Sequence, residues 1–168
     1  MELNIWLDTY DDLYSDFDSR HFSKRLVSED FIHELKRNAK EIREPISELL
    51  LHLPDEVRKP RLEAGIVQSL KQYFQNQHLA IRSEIHHLRR KGLLLTLLGF
   101  ILMIVAAYVD YINAASFLFS VIRVILEPAG WFLIWNGLET LIYELKTRKV
   151  QFLFFEKLNH CNILFITT

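Results

Sequence analysis

Five aspartates stand within eleven residues in "DTYDDLYSDFD": Asp8, Asp11, Asp12, Asp16 and Asp18. Carboxylate oxygens at that density suit a hard cation such as Ca²⁺ or Mg²⁺, and Asp11, Asp12 and Asp16 are the candidate ligands. The spacing departs from the calcium-loop pattern D-x-[DN]-x-[DN]-G, and no glycine supplies its sharp turn. In a helix, Tyr10, Tyr14 and Phe17 would share one face and Asp8, Asp12 and Asp16 another. The aromatic face is then a candidate docking surface. Ordinary amphipathic packing explains the same spacing and is weighed first, partner binding second and a metal third.

A second constellation lies in the most apolar part of the chain. "VIRVILEPAGW", Val121–Trp131, carries Arg123, Glu127 four residues on, and Pro128 beside it. At i and i+4 the two charges share a helix face, and Glu127 leans toward Arg123 because helical side chains tilt toward the N-terminus. By the same lean Arg123 can approach Asp110. A charged pair in an apolar segment is a structural pair fixing helix packing, or a functional pair lining a pore or relaying charge. Asn136 would join the second arrangement.

The remaining chemistry is sparse. His21, His33, His52, His78, His86, His87 and His160 are scattered at spacings that assemble no zinc site within one element, so surface roles are expected for them. The single cysteine, Cys161, allows no intrachain disulfide. No nucleophile elbow, phosphate-binding glycine loop or H-E-x-x-H motif occurs. The residues point away from an enzyme, and no cofactor is implied.

The elements that must position these residues follow from charge and hydropathy. Residues 1–55 hold 13 acidic and 7 basic side chains, residues 56–91 hold 3 and 8, and residues 92–168 hold 5 and 5. A basic segment abutting an apolar one suits a membrane surface, and no basic patch interleaved with aromatics suggests nucleic acid. Gly92–Val109 is an uncharged run of eighteen residues, at the lower edge of what crosses a bilayer core of about 30 Å at 1.5 Å per residue. It reads as a first transmembrane helix over 92–110. A second is expected over 115–137. In the competing arrangement, residues 114–126 lie at the surface and Pro128 opens the true second span as its first helical residue. Arg89, Arg90 and Lys91 precede the first span, Lys146, Arg148 and Lys149 follow the second, and the turn between has no Lys or Arg. The positive-inside rule then places both termini in the cytoplasm, with the inner membrane as the location.

Leu62, Ile66, Leu70, Phe74, Ile81, Ile85 and Leu88 recur at helical spacing over 61–91. No breaker separates them from the apolar run, so one long helix is expected from about 61 to 110, with about 45 Å outside the membrane. Upstream, "LNIWLD" alternates as a strand and "SEDFIHELKRNAKEI" reads as a short helix capped by Ser28. "ISELLLHLP" favours a strand, alternating Leu49, Leu51 and Leu53 against Glu48, Leu50 and His52. At the far end, 146–168 reads as a short helix followed by the strand "NILFI". The expected fold is a mainly α membrane protein. A two-helix transmembrane hairpin is inserted in a small cytoplasmic α+β domain built from 1–60 and 146–168, and one long helix runs from the domain into the membrane.

"LDTYDDLYSDFDSR", "LVSEDFIHELKR" and "GWFLIWNGLETLIYE" resemble an uncharacterised family of small prokaryotic proteins with two transmembrane helices. The resemblance covers most of the chain. It implies the membrane architecture and attaches no activity. The expected role is a non-enzymatic anchored module whose partners are the lipid bilayer and either another copy or another protein. An oligomeric channel component using Arg123 and Glu127 is the second reading. A divalent-metal-dependent enzyme or sensor using Asp8–Asp18 is the third.

Overall fold

The computed structural model describes residues 1–15, 25–42, 46–112 and 117–167. They form mainly helix with one small sheet, in two units. The first unit comprises Met1–Ala80 and Gln151–Thr168, the second Ile81–Val150. In order the elements are β1 (Glu2–Trp6), α1 (Glu29–Glu41), β2 (Glu48–Leu53), α2 (Pro60–Tyr111), α3 (Phe117–Glu139), α4 (Leu145–Asn159) and β3 (Asn162–Thr167). Helices α2 and α4 each run through the boundary between the units.

The sheet of the first unit is parallel throughout, in the order β1-β2-β3. Parallel neighbours need crossover connections, and the chain supplies α1 between β1 and β2. Between β2 and β3 it supplies everything from α2 to α4, the second unit included. The register sets Leu3 beside Leu49 and Ile163, and Ile5 beside Leu51 and Phe165. With a side-chain period of two, these six share one face, and all are buried. Leu35 of α1, Ile66, Leu70 and Phe74 of α2, and Leu158 of α4 are at most 1% exposed, so three helices contribute to the same core. Burying a Leu or Phe side chain is worth about 1.5–3 kcal/mol, and this unit holds most of the fully buried ones.

The alternation read for β2 holds on the inner face only. Leu50 projects to the opposite face with Asn4 and Leu164 yet is itself buried, while Leu164 and Trp6 are exposed. Trp6 stacks on His52 at 4.9 Å between ring centroids, and His52 Nε2 lies 2.9 Å from Asn4 Oδ1.

Ser28 occupies the N-cap position of α1, but its side chain makes no capping bond; its carbonyl accepts the Ile32 N–H at 3.2 Å. The segments around Leu13–Ser15 and Leu26–Ser28 are instead tied together. Ser15 N–H donates to the Leu26 carbonyl at 2.9 Å and Ser28 N–H to the Leu13 carbonyl at 3.0 Å. That pairing makes Ser28 part of a backbone bridge as well as a helix start.

A polar node joins distant parts of the first unit. Arg58 Nε donates to Glu63 Oε1 at 2.8 Å, and its terminal nitrogens donate to the Phe165 carbonyl at 2.9 Å and the Thr167 hydroxyl at 2.7 Å. Lys59 N–H donates to the Tyr10 hydroxyl at 2.8 Å, and that hydroxyl donates to Glu63 at 3.2 Å. One guanidinium thereby fixes β3 to the start of α2, using the planar fork that suits Arg to several acceptors at once.

In the second unit, α2 and α3 meet through four of the chain's five glycines. A Cβ on Gly99 would lie 2.8 Å from the Gly130 carbonyl oxygen, and one on Gly137 would lie 2.8 Å from that of Gly92. Within each helix the two glycines are seven residues apart, two helical turns, so one contact line touches at two levels. Thr96 also lies on this line and turns its hydroxyl back to the Gly92 carbonyl at 2.9 Å. The helices can approach this closely only because the glycines themselves present no side chain at the contact.

Candidate functional site

The aspartate-rich turn is built for structure. Tyr10–Leu13 form a tight 3₁₀ turn, not the longer helix in which the aromatic and acidic faces would separate. Thr9 caps it, accepting the Asp11 N–H at 3.3 Å, while Asp12 Oδ2 accepts the N–H groups of Asp8 and Thr9 at 2.8 Å each. Asp11 pairs with Arg25, whose guanidinium also lies over the Tyr14 ring at 5.5 Å. Tyr10 and Tyr14 are only 5% and 2% exposed, so their rings are core and offer no docking surface. The spacing suggests a shared face, and the face that Tyr10 and Tyr14 share points inward. Burial raises the pKa of both phenols above the ordinary value. Among the described residues no three His, Cys, Asp or Glu side chains converge as a metal site. Asp16, Phe17 and Asp18 lie outside the described residues.

The Arg123 constellation forms a three-membered cluster. Arg123 Nε donates to Glu127 Oε1 at 3.0 Å, and its terminal nitrogen donates to Asp110 Oδ1 at 2.5 Å. Asp110 is near the end of α2 and Arg123 in the second turn of α3, so the bonds cross between the helices. Three charges with two carboxylates leave one negative charge in surplus. The side chains are 44–58% exposed among exposed apolar neighbours such as Val121, Val124 and Ile125. Pro128 lies inside α3, well before its end at Glu139, so it does not open a helix. Asn136 is separate from this cluster and donates to the Phe132 carbonyl at 2.8 Å.

The expected second span ends at Gly137, but the helical run does not. It passes through a π turn at Thr140–Glu144 and continues as α4 to Asn159. A π turn accommodates one extra residue and rotates the downstream helix relative to the upstream one. Thr140, where the turn begins, is 4% exposed, and the Leu145 N–H donates to its carbonyl.

The basic residues flanking the hairpin gather at one end of the second unit. Gly92 is level with Gly137 and Leu141. Arg148 Nε lies 3.4 Å from Glu84 Oε2, which carries that alignment past the apolar run. Arg89, Arg90, Lys91, Lys146, Arg148 and Lys149 are all exposed there. Ser83, Glu84, His87, Leu88 and Arg148 line a shallow groove between the helices.

The described histidines do not converge. His52 stacks in the sheet face and His78 against Phe152 at 4.6 Å. His33, His86, His87 and His160 are exposed. His21 lies outside the described residues. Cys161 is buried, its thiol donating to the Leu158 carbonyl at 3.1 Å, and burial pushes its pKa up to about 11.

Both long helices are long and apolar enough to cross a membrane. Their most apolar eighteen-residue windows are only 17% and 6% buried within the chain. No family model matches this chain, and neither a curated protein nor a solved structure does.

The glycine contact line and the Arg58–Glu63 node went unread in the sequence, whereas the Asp110–Arg123 tie was expected. The glycine contact line leaves a signal in the sequence, as equal seven-residue intervals, Gly92–Gly99 and Gly130–Gly137, in two apolar runs. The Arg58–Glu63 node leaves none beyond opposite charges flanking Pro60. Asp110 stands out as a polar mark after the apolar run, and its tie to Arg123 follows from the lean of the arginine.

Proposed function

We propose that this protein is a non-enzymatic integral membrane protein of the inner membrane. A hairpin of α2 and α3 anchors it, and the first unit works on the cytoplasmic side through self-association or a protein partner. The observation that carries this is the outward apolar surface of the two helices. A core helix of a soluble domain buries most of its apolar window, whereas these windows leave Leu93, Leu97, Ile104, Trp131 and Phe132 exposed. Solvent would meet that surface at a cost of about 25 cal/mol per Å², and lipid removes the cost. Cation distribution supports the orientation, since the described turn side of the hairpin carries no Lys or Arg before Arg123. A binding role is favoured over catalysis because Asp11 and Asp12, the described metal candidates, are engaged in holding the N-terminal turn.

Alkaline carbonate extraction of membranes from expressing cells tests the anchor. Retention in the pellet is expected, and release into the supernatant would sink the proposal.

The Arg123 cluster favours a second reading, an oligomeric channel or transport component. A charged cluster on an exposed apolar surface is expensive in lipid and is relieved where it faces another protein or a water-filled path. Two helices cannot enclose such a path, so several copies would be required. Ion flux in proteoliposomes that vanishes in Arg123→Leu/Glu127→Leu would support it. Flux unchanged by the substitutions would remove these residues from the path.

A further inference from the structure

We propose that the basic end of the hairpin is a docking collar for anionic phospholipid headgroups; this rests on the membrane reading above and names the lipid class that the anchor selects. The hairpin register carries it. Because Gly92 sits against Gly137 and Leu141, and Glu84 against Arg148, two separated basic segments become one surface. Residues 82–91 and 139–149 together hold seven Lys or Arg against three Glu. The collar has two tiers. Arg89, Arg90 and Lys91 border the apolar run directly, and Lys146, Arg148 and Lys149 stand level with the region of Glu84, about 10 Å further along at 1.5 Å per residue.

Position and chemistry both suit a lipid phosphate. The lower tier directly borders the eighteen uncharged residues from Gly92 to Val109, at the depth where headgroups begin. Trp135 and Tyr143 are 68% and 70% exposed at this end, amphipathic rings of the kind that settle in the headgroup layer. Arg offers planar donors to phosphate oxygens and Lys a compact charge, and a surface with both holds anionic lipid more strongly than zwitterionic lipid. A free phosphate ion lacks the acyl chains that would lie along the exposed Leu93, Leu94 and Leu97 beside the collar.

The full chain, purified in mild detergent, is mixed with equal amounts of phosphatidylglycerol and phosphatidylcholine of matched acyl chains. Native mass spectrometry then reads the retained lipid. Retained phosphatidylglycerol should exceed phosphatidylcholine, and Arg89→Gln/Arg90→Gln/Lys91→Gln should cut the excess by about tenfold. Arg61→Gln/Lys40→Gln/Lys71→Gln, exposed cations of the first unit, should leave it unchanged. Equal retention of the two lipids by the unsubstituted chain would overturn the proposal, as would an excess that survives the collar substitutions. A salt series on the unsubstituted chain gives a readout independent of variant folding: the excess should shrink as ionic strength rises, and an excess indifferent to salt would overturn it. Protein that stays in the carbonate pellet yet shows no preference defeats the collar alone. Protein released by carbonate defeats the membrane reading beneath it.

Discussion

At the residue scale, polar side chains in this protein mostly hold backbone and neighbouring charges in place. Cys161 gives the sharpest test. Its thiol is held to about 11, about two pH units above the ordinary 9.0, because burial penalises the thiolate. Only the thiolate attacks an alkylating reagent, so labelling of the folded chain near neutral pH should be at least about a hundredfold slower than of the chain in urea. Mass spectrometry of iodoacetamide time courses reads this directly, and equal rates would show that the thiol is accessible. Linkage gives a second outcome. Between pH 9 and 11 the unfolded chain has lost the thiol proton and the folded chain still holds it. Stability, full below that window, therefore falls as pH rises through it. Tyr10, Tyr14 and Tyr73, whose pKa values are also raised by burial, push the same way at higher pH. Urea melts at pH 8 and pH 10.5 should show the loss, and Cys161→Ala should reduce it. For Arg123, removing the shared cation leaves Asp110 and Glu127 facing each other's charge. Arg123→Leu should lower the melting temperature in micelles more than Arg123→Leu/Asp110→Leu/Glu127→Leu does. Residue-level spacing foretold the Arg123–Glu127 contact because i and i+4 geometry is local. The same reasoning leaves Tyr10 and Tyr14 between ordinary packing and a docking face, and their burial decides for packing, since a four-residue turn does not keep the helical period and burial there depends on distant partners.

At the element scale, glycine means two different things in one helix. Gly65 of α2 has open space where a Cβ would stand, whereas Gly92 and Gly99 meet α3 there. Gly65→Ala should stabilise the protein by about 0.5–1 kcal/mol, since alanine loses less backbone entropy in a helix. Gly99→Ala forces a Cβ to within 2.8 Å of the Gly130 carbonyl oxygen and 2.7 Å of Ile134, and should destabilise by about 1–3 kcal/mol. Thermal denaturation in detergent compares the two, and similar effects from both would contradict the close packing. The long helix, the strands at 2–6 and 48–53, and the final helix and strand were all readable, because each carries its own hydrophobic period. Strand order and direction were not readable, since Leu3, Leu49 and Ile163 become neighbours only through pairings far apart in sequence, the second of them across more than a hundred residues. The continuation of the second helix beyond Gly137 was hidden too. Glu139 and Glu144 look like an exit from the apolar run, and nothing in residue type announces the π turn that carries the helix past them.

At the scale of the whole molecule, copy number would separate the proposed anchor from the proposed pore. Mass measurement of the assembly in lipid nanodiscs is expected to give a small assembly whose mass Arg123→Leu/Glu127→Leu leaves unchanged. A ring of four or more that falls apart in that variant would favour the pore. Composition foreshadowed the division into an apolar hairpin and a charged remainder, because the charges are segregated along the chain. How the first unit closes on itself was set by pairing, and that pairing has a consequence in time. Strand β2 is complete at Leu53 and its parallel neighbour β3 begins only at Asn162, so a ribosome must deliver both hydrophobic helices before the sheet has its third strand. Until then Leu49 and Leu51 have company on one side alone. In the membrane reading proposed above, the translocation machinery would meet the nascent chain before its first unit could finish folding, and a stall in handing over the hairpin would leave an unfinished sheet for chaperones and proteases to find.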